Sequence, residues 1–148
     1  MSIARKLYEL QEIDLEIDAA EQDVRSMTSR LGKNDAVLEA RSELDIEKTQ
    51  LDKLNSRQKT LEHEIRDTSD KISRTEEELY SGRTTNPREL SGLQQEVAVL
   101  KNRRNELEDD AVEVMEEIDS ATDRVSAASK RLEQMEADWQ AEQKQLES

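Results

Sequence analysis

The stretch that decides the fold follows the chain's only proline: residues 87–148 read PRELSGLQQEVAVLKNRRNELEDDAVEVMEEIDSATDRVSAASKRLEQMEADWQAEQKQLES. With Leu90 as position a of a heptad, apolar residues recur at alternating spacings of three and four, without a slip. Of the 17 a and d positions, 15 are apolar, and the two polar ones are Arg104 and Glu142. Such a seam predicts one long helix in a left-handed coiled coil.

Residues 35–79 carry a second seam, with polar residues at four of its 13 a and d positions. These positions are Val37, Ala40, Leu44, Glu47, Leu51, Leu54, Gln58, Leu61, Ile65, Thr68, Ile72, Thr75 and Leu79. The turn residues of segment 81–86 separate the two seams and predict a loop that reverses the chain. We therefore expect an antiparallel pair in which the numbers of facing residues add to 172, as for Leu79 with Leu93.

A third seam occupies residues 3–31 and is out of register with the second by one residue. Gly32 is a reasonable helix terminator, and Asn34 or Asp35 a reasonable new N-cap. The sequence thus predicts a kink or break near residues 31–36 and helices over about 2–31, 35–80 and 87–148. The expected class is all-α, a long antiparallel coiled-coil hairpin with more than 80% helix and no sheet.

The predicted register leaves the first residues of the chain without a partner helix. Ser148 pairs with about residue 24, so the apolar stripe of residues 3–20 faces nothing in this chain. Because contiguous exposed apolar stripes seldom go unused, two explanations stay open. Either the natural chain continues past Ser148, or residues 3–20 form a homodimer.

Composition excludes several functional classes. The chain is 33% hydrophobic and 39% charged, with a net charge of −14 and no cysteine. An acidic body of this kind argues against nucleic-acid coating and against a membrane-surface helix. No apolar run approaches a membrane span, and the N-terminus lacks the apolar core of a signal peptide, so a cytoplasmic protein is expected.

We find no enzyme constellation, and we expect no catalytic residue, no metal site and no cofactor in this chain. The single histidine, His63, falls at heptad position f and is expected to be solvated. Arg104, in the seam, is interpreted as a device that sets the register.

The predicted loop is the one locally distinctive surface. Its candidate partner-binding residues are Tyr80, Arg83, Thr84, Thr85, Asn86 and Arg88. Segment 80–88 carries two arginines and no acid, on an otherwise acidic molecule. Two interpretations stand at this stage: a plain turn, or a docking loop whose Arg and Tyr residues make contacts that are common at interfaces.

Segment 79–90, LYSGRTTNPREL, followed by Leu93-Gln94-Gln95-Glu96, resembles the hairpin turn of the bacterial coiled-coil and C4-type zinc-ribbon family. The opening segment 7–18, LYELQEIDLEID, is similar to that family's start. The resemblance implies a kinked hairpin followed by a small ribbon with two cysteine pairs, which this chain lacks. Zinc would bind there, and any nucleic-acid contact would fall to that ribbon or to the basic loop.

The resemblance further implies an adaptor for protein partners, with some relatives linked to an alternative sigma factor and to flagellar gene expression. The alternative function is a polymerase-channel-type coiled-coil factor or a prefoldin-like chaperone subunit. A channel factor needs acids at its tip to hold a metal, and a prefoldin-like subunit needs β-hairpins at its helix ends.

Overall fold

The computed structural model describes the backbone of residues 2–147 and the side chains of residues 2–145, so the predicted seam residue Leu146 lies outside the described side chains. Helix α1 spans Ile3–Tyr80 and helix α2 spans Pro87–Glu147. Residues 81–86 connect them. Helix accounts for 95% of the structure, and residues 2–147 contain no strand, which confirms the predicted all-α helical hairpin.

The chain divides into two compact units, and both helices contribute to each. We call Ile46–Ser126 the loop unit, and Met1–Asp45 with Ala127–Ser148 the terminal unit.

The core of the loop unit is a cluster of seam residues from both helices. Leu61, Leu107 and Val114 are buried, and half-buried apolar side chains pack against them: Ile65, Ala111 and Ile118. Leu61 faces Ala111, and Ile65 faces Leu107, in the predicted register. Leu107 is only 2% exposed. Burying a side chain of this kind contributes roughly 1.5–3 kcal/mol, so a few seam residues hold the two helices together.

The terminal unit continues the same pattern. Val37, Ala40 and Leu44 of α1 are buried, as is Ala128 of α2. Every a and d residue from Val37 to Leu79 and from Leu90 to Glu142 is buried or half-buried. The heptad positions read from the sequence are therefore the ones that face the partner helix.

The break predicted at residues 31–36 is wrong, because α1 runs through them without interruption. Gly32 has no positive φ, and a Cβ atom built there would meet nothing within 4 Å. Neither a left-handed turn nor a close approach therefore requires glycine at this position. A single glycine inside a helix costs only about 1 kcal/mol relative to alanine, which a long helix tolerates. The predicted helices 2–31 and 35–80 are one helix.

The first turns of α1 lie outside the packed region. Every side chain from Ser2 to Arg25 is exposed, and the first half-buried residue is Ser26. Because this stretch does not pack against α2, its heptad register has no need to match the second seam. The slip of one residue is thus accommodated without a break.

Two glycine substitutions test this description of the backbone. Replacing Gly32 with Ala should raise the free energy of unfolding by about 0.4–1 kcal/mol, because alanine has less freedom to lose on folding. The same change at Gly82, whose φ is 75°, should cost roughly 1–2 kcal/mol. Denaturant unfolding followed by circular dichroism measures both changes in the free energy of unfolding. A destabilised Gly32→Ala variant would instead indicate that the helix breaks at this glycine.

Candidate docking site at the connecting loop

The start of α2 fixes one side of the loop. The Asn86 side-chain Oδ1 accepts a hydrogen bond from the backbone N–H of Arg88, at 2.9 Å. The carbonyl of Asn86 accepts a hydrogen bond from the backbone N–H of Leu90, at 3.0 Å, in the first turn of α2. Pro87 follows the cap at the first helical position, where its missing N–H and fixed φ are tolerated. Asn86 is therefore the N-cap of α2.

Local hydrogen bonds hold the other side. The Ser81 hydroxyl donates to the carbonyl of Glu78, at 2.9 Å, which satisfies an acceptor at the end of α1. The backbone N–H of Arg83 donates to the same hydroxyl, at 3.3 Å. Between Ser81 and Arg83, Gly82 takes the left-handed conformation, with φ 75°. The chain thus leaves α1 through a turn defined by its own residues.

The loop presents five of the six candidate residues to solvent. Tyr80 is 81% exposed, and Arg83, Thr85, Asn86 and Arg88 are also exposed. Thr84 is half-buried, so it offers less surface than the sequence indicated. The tyrosine and the two arginines lie within nine consecutive residues and can contact one partner.

The charges of the loop are free for a partner. Within the described part of the chain, neither Arg83 nor Arg88 forms an ion pair. Glu76, one turn below the loop, is engaged by Lys101 of α2 at 3.0 Å. A guanidinium offers planar, paired donors to a carboxylate or a phosphate. The loop can therefore bind an acidic group without first breaking a contact of its own.

The acidic body uses its charges differently. Ion pairs join the two helices within each unit, and the heptad analysis of the sequence did not predict them. They include Lys101–Glu76 at 3.0 Å and Arg124–Glu47 at 3.0 Å in the loop unit, and Arg131–Glu43 at 3.3 Å and Arg41–Glu136 at 3.2 Å in the terminal unit. The signal was present in the seam register, because most of these residues occupy the e and g positions beside it.

Glu142, a polar d position, is held by a small polar cluster in the terminal unit. Lys33 Nζ lies 3.0 Å from Glu142 Oε2, and the Ser29 hydroxyl donates to Glu142 Oε1 at 2.8 Å. The Lys33 ammonium, then the hydrogen bond from Ser29, lowers the pKa of the Glu142 carboxyl below its ordinary value. By the predicted sum of 172, Lys33 lies opposite Trp139, and its long side chain reaches Glu142 three residues further along α2.

Trp139 borders a different surface of the terminal unit. With Met27, Arg30, Leu31 and Asn34 it lines an open, mainly apolar hollow of about 330 Å³. The ring thus lines the same hollow as residues on either side of Gly32.

A match assigns this hairpin to a known protein family. Residues 37–148, about three quarters of the chain, match the model of the CT398-like coiled coil hairpin domain. The chain belongs to that family. No curated protein and no solved structure matches it. The family match covers both packed helices and the loop, whereas the exposed first turns of α1 lie outside it.

The described residues of this CT398-like hairpin present neither a metal-binding cluster nor a membrane-spanning helix. Among them, no group of three or more His, Asp or Glu side chains is placed to hold a metal ion. No helical segment of the described residues is both long and apolar enough to cross a membrane.

The Glu142 cluster makes a prediction about pH. A carboxyl whose pKa is lowered by folding stabilises the fold above its ordinary pKa, and that contribution is lost as the pH falls through the lowered value. Lys33→Met should therefore raise the pKa of Glu142 in a carbon-detected NMR titration, and Ser29→Ala should do so to a smaller extent. Lys48→Met, in the loop unit, is the matched control. An unchanged Glu142 titration in Lys33→Met would contradict the assignment.

Proposed function

We propose that this coiled-coil hairpin is a non-enzymatic adaptor that presents its connecting loop to a protein partner. The family assignment supports a scaffold-like protein. The observation that carries the proposal is the contrast between the loop and the seams. The seam side chains are consumed by packing between the helices, whereas the loop holds Tyr80, Arg83 and Arg88 exposed on a turn fixed by its own hydrogen bonds.

The partner surface at the loop is acidic in this proposal. Arg83 and Arg88 are cations on a molecule of net charge −14, so they form a local site for carboxylates or phosphates. A protein with clustered Asp and Glu side chains supplies the first of these groups. The resemblance of segment 79–90 to the coiled-coil and zinc-ribbon family supports a role in bacterial gene expression or flagellar regulation.

The alternative functions have less support. A polymerase-channel factor would need acids at the loop to hold a metal, and segment 80–88 contains arginines instead. A prefoldin-like subunit would need β-hairpins at its helix ends, and residues 2–147 contain no strand.

A charge-reversal experiment tests the role of the loop. A photo-cross-linking residue at Thr85 identifies the partner that touches the loop, with the same probe at the exposed helix residue Gln95 as the positional control. Arg83→Glu with Arg88→Glu should then weaken binding of that partner several-fold to a hundred-fold, which corresponds to roughly 1–3 kcal/mol. The free energy of unfolding should change by less than about 0.5 kcal/mol, because both side chains are exposed.

The matched control changes the net charge equally on the helix surface of the same unit. Arg66→Glu with Arg74→Glu alters two exposed arginines beyond the loop and should leave binding near that of the parent. If the Arg83/Arg88 variant bound the partner as tightly as the parent did, the loop would be only a turn. Equal weakening by both double variants would show a general charge effect and would also contradict the proposal.

A further inference from the structure

The first turns of α1 form an exposed helix with an ordered apolar stripe. Its side chains are at least half exposed and follow the spacing of three and four that is typical of a coiled-coil seam. With Ile3 at position a, they are Ile3, Leu10, Ile13, Ile17 and Val24. Leu7 lies beside them at position e, and Lys6 occupies the first d position. The stripe can therefore pack against the apolar face of a second helix.

The residues that flank this stripe are almost uniformly acidic. Segment 9–24 contains seven acids and no base. With Ile3 at position a, five of those acids occupy the e and g positions on either side of the stripe, and these are Glu9, Asp14, Glu16, Glu21 and Asp23. Each of them is exposed.

In the packed part of the hairpin, the e and g positions of the two helices carry opposite charges that form ion pairs. Lys101 and Glu76 are both e residues, and their ion pair is 3.0 Å long. Arg131 and Glu43 are both g residues, paired at 3.3 Å. Opposite charges at the e and g positions set partner choice in coiled coils. By the same rule, a helix that covers the acidic stripe has basic flanks.

We propose that residues 3–24 bind an amphipathic helix whose apolar face is bordered by Lys or Arg. A second copy of this segment would bring acidic flanks against acidic flanks in a parallel and in an antiparallel pair, so charge disfavours the homodimer. This site is independent of the connecting loop and stands whether or not the loop is a docking site.

Two synthetic helical peptides test the proposal on the full chain. Both have 22 residues with Leu at positions a and d; one has Lys at every e and g position, and the other has Glu. At moderate salt, the Lys peptide should bind at least tenfold more tightly than the Glu peptide in fluorescence anisotropy. A third peptide, with Lys flanks but Ser at a and d, should bind weakly and reports attraction to the acidic chain alone.

Variants of the chain localise the binding. Leu10→Asp with Ile17→Asp removes the centre of the stripe and should abolish binding of the Lys peptide. Leu15→Asp is the matched control, because Leu15 is 68% exposed but lies at position f, away from the stripe, and it should bind like the parent. Reversal of the g row, by Glu9→Lys, Glu16→Lys and Asp23→Lys, should weaken binding of the Lys peptide about tenfold.

Three results would overturn the proposal. Equal binding of the Lys and Glu peptides, or no binding of either, would exclude selection by the acidic flanks. Loss of binding in Leu15→Asp as large as that in the double variant would place the site elsewhere. In sedimentation of the chain without peptide, a dimer that Leu10→Asp with Ile17→Asp dissolves would show that a second copy is the occupant.

Discussion

The packing of one narrow apolar seam on α1 against one on α2 is the constraint on which the rest of this structure depends. A helix pair buries only its a and d positions, so a chain that is 33% hydrophobic still has enough apolar residues to fold. Position in the heptad, more than the residue type, decides what is buried: Thr75 is 8% exposed, whereas the apolar Leu38 and Val99, beside the seams, are more than half exposed. The loop follows from the same constraint, because a short connection between antiparallel seams forces a reversal near residues 81–86.

Charge acts on top of this packing and decides which surfaces associate. Exposed ion pairs such as Arg131–Glu43 contribute little stability, about 0–1 kcal/mol each. They nevertheless favour one register and one partner over others, because the wrong alignment brings like charges together. The same reasoning separates the two docking proposals. Two arginines in the loop favour an acidic partner, and the acidic flanks of residues 3–24 favour a basic helix.

Most of the fold could be predicted from the sequence because the heptad repeat is a long-range signal that many residues share. The a and d positions from Val37 onward are of this kind. The break at Gly32 was a local signal, and it lost to helix continuity because nothing in the structure requires a turn there. The Lys33–Glu142 pair could not be predicted, since a long side chain reaches several positions within one turn. The exposure of the loop could be predicted from its turn residues. Its partner could not, because recognition also depends on the surface of another molecule.

Disulfide trapping tests the seam register most directly. The chain has no cysteine, so a cysteine pair can be placed at the facing positions by Leu61→Cys with Ala111→Cys. A second pair, Leu54→Cys with Ala111→Cys, is offset by one heptad. Mild oxidation of the dilute protein should form an intramolecular disulfide in the first variant and not in the second, as measured by mobility on a non-reducing gel. Efficient cross-linking of the offset pair, or failure of the facing pair in the folded protein, would contradict the antiparallel register.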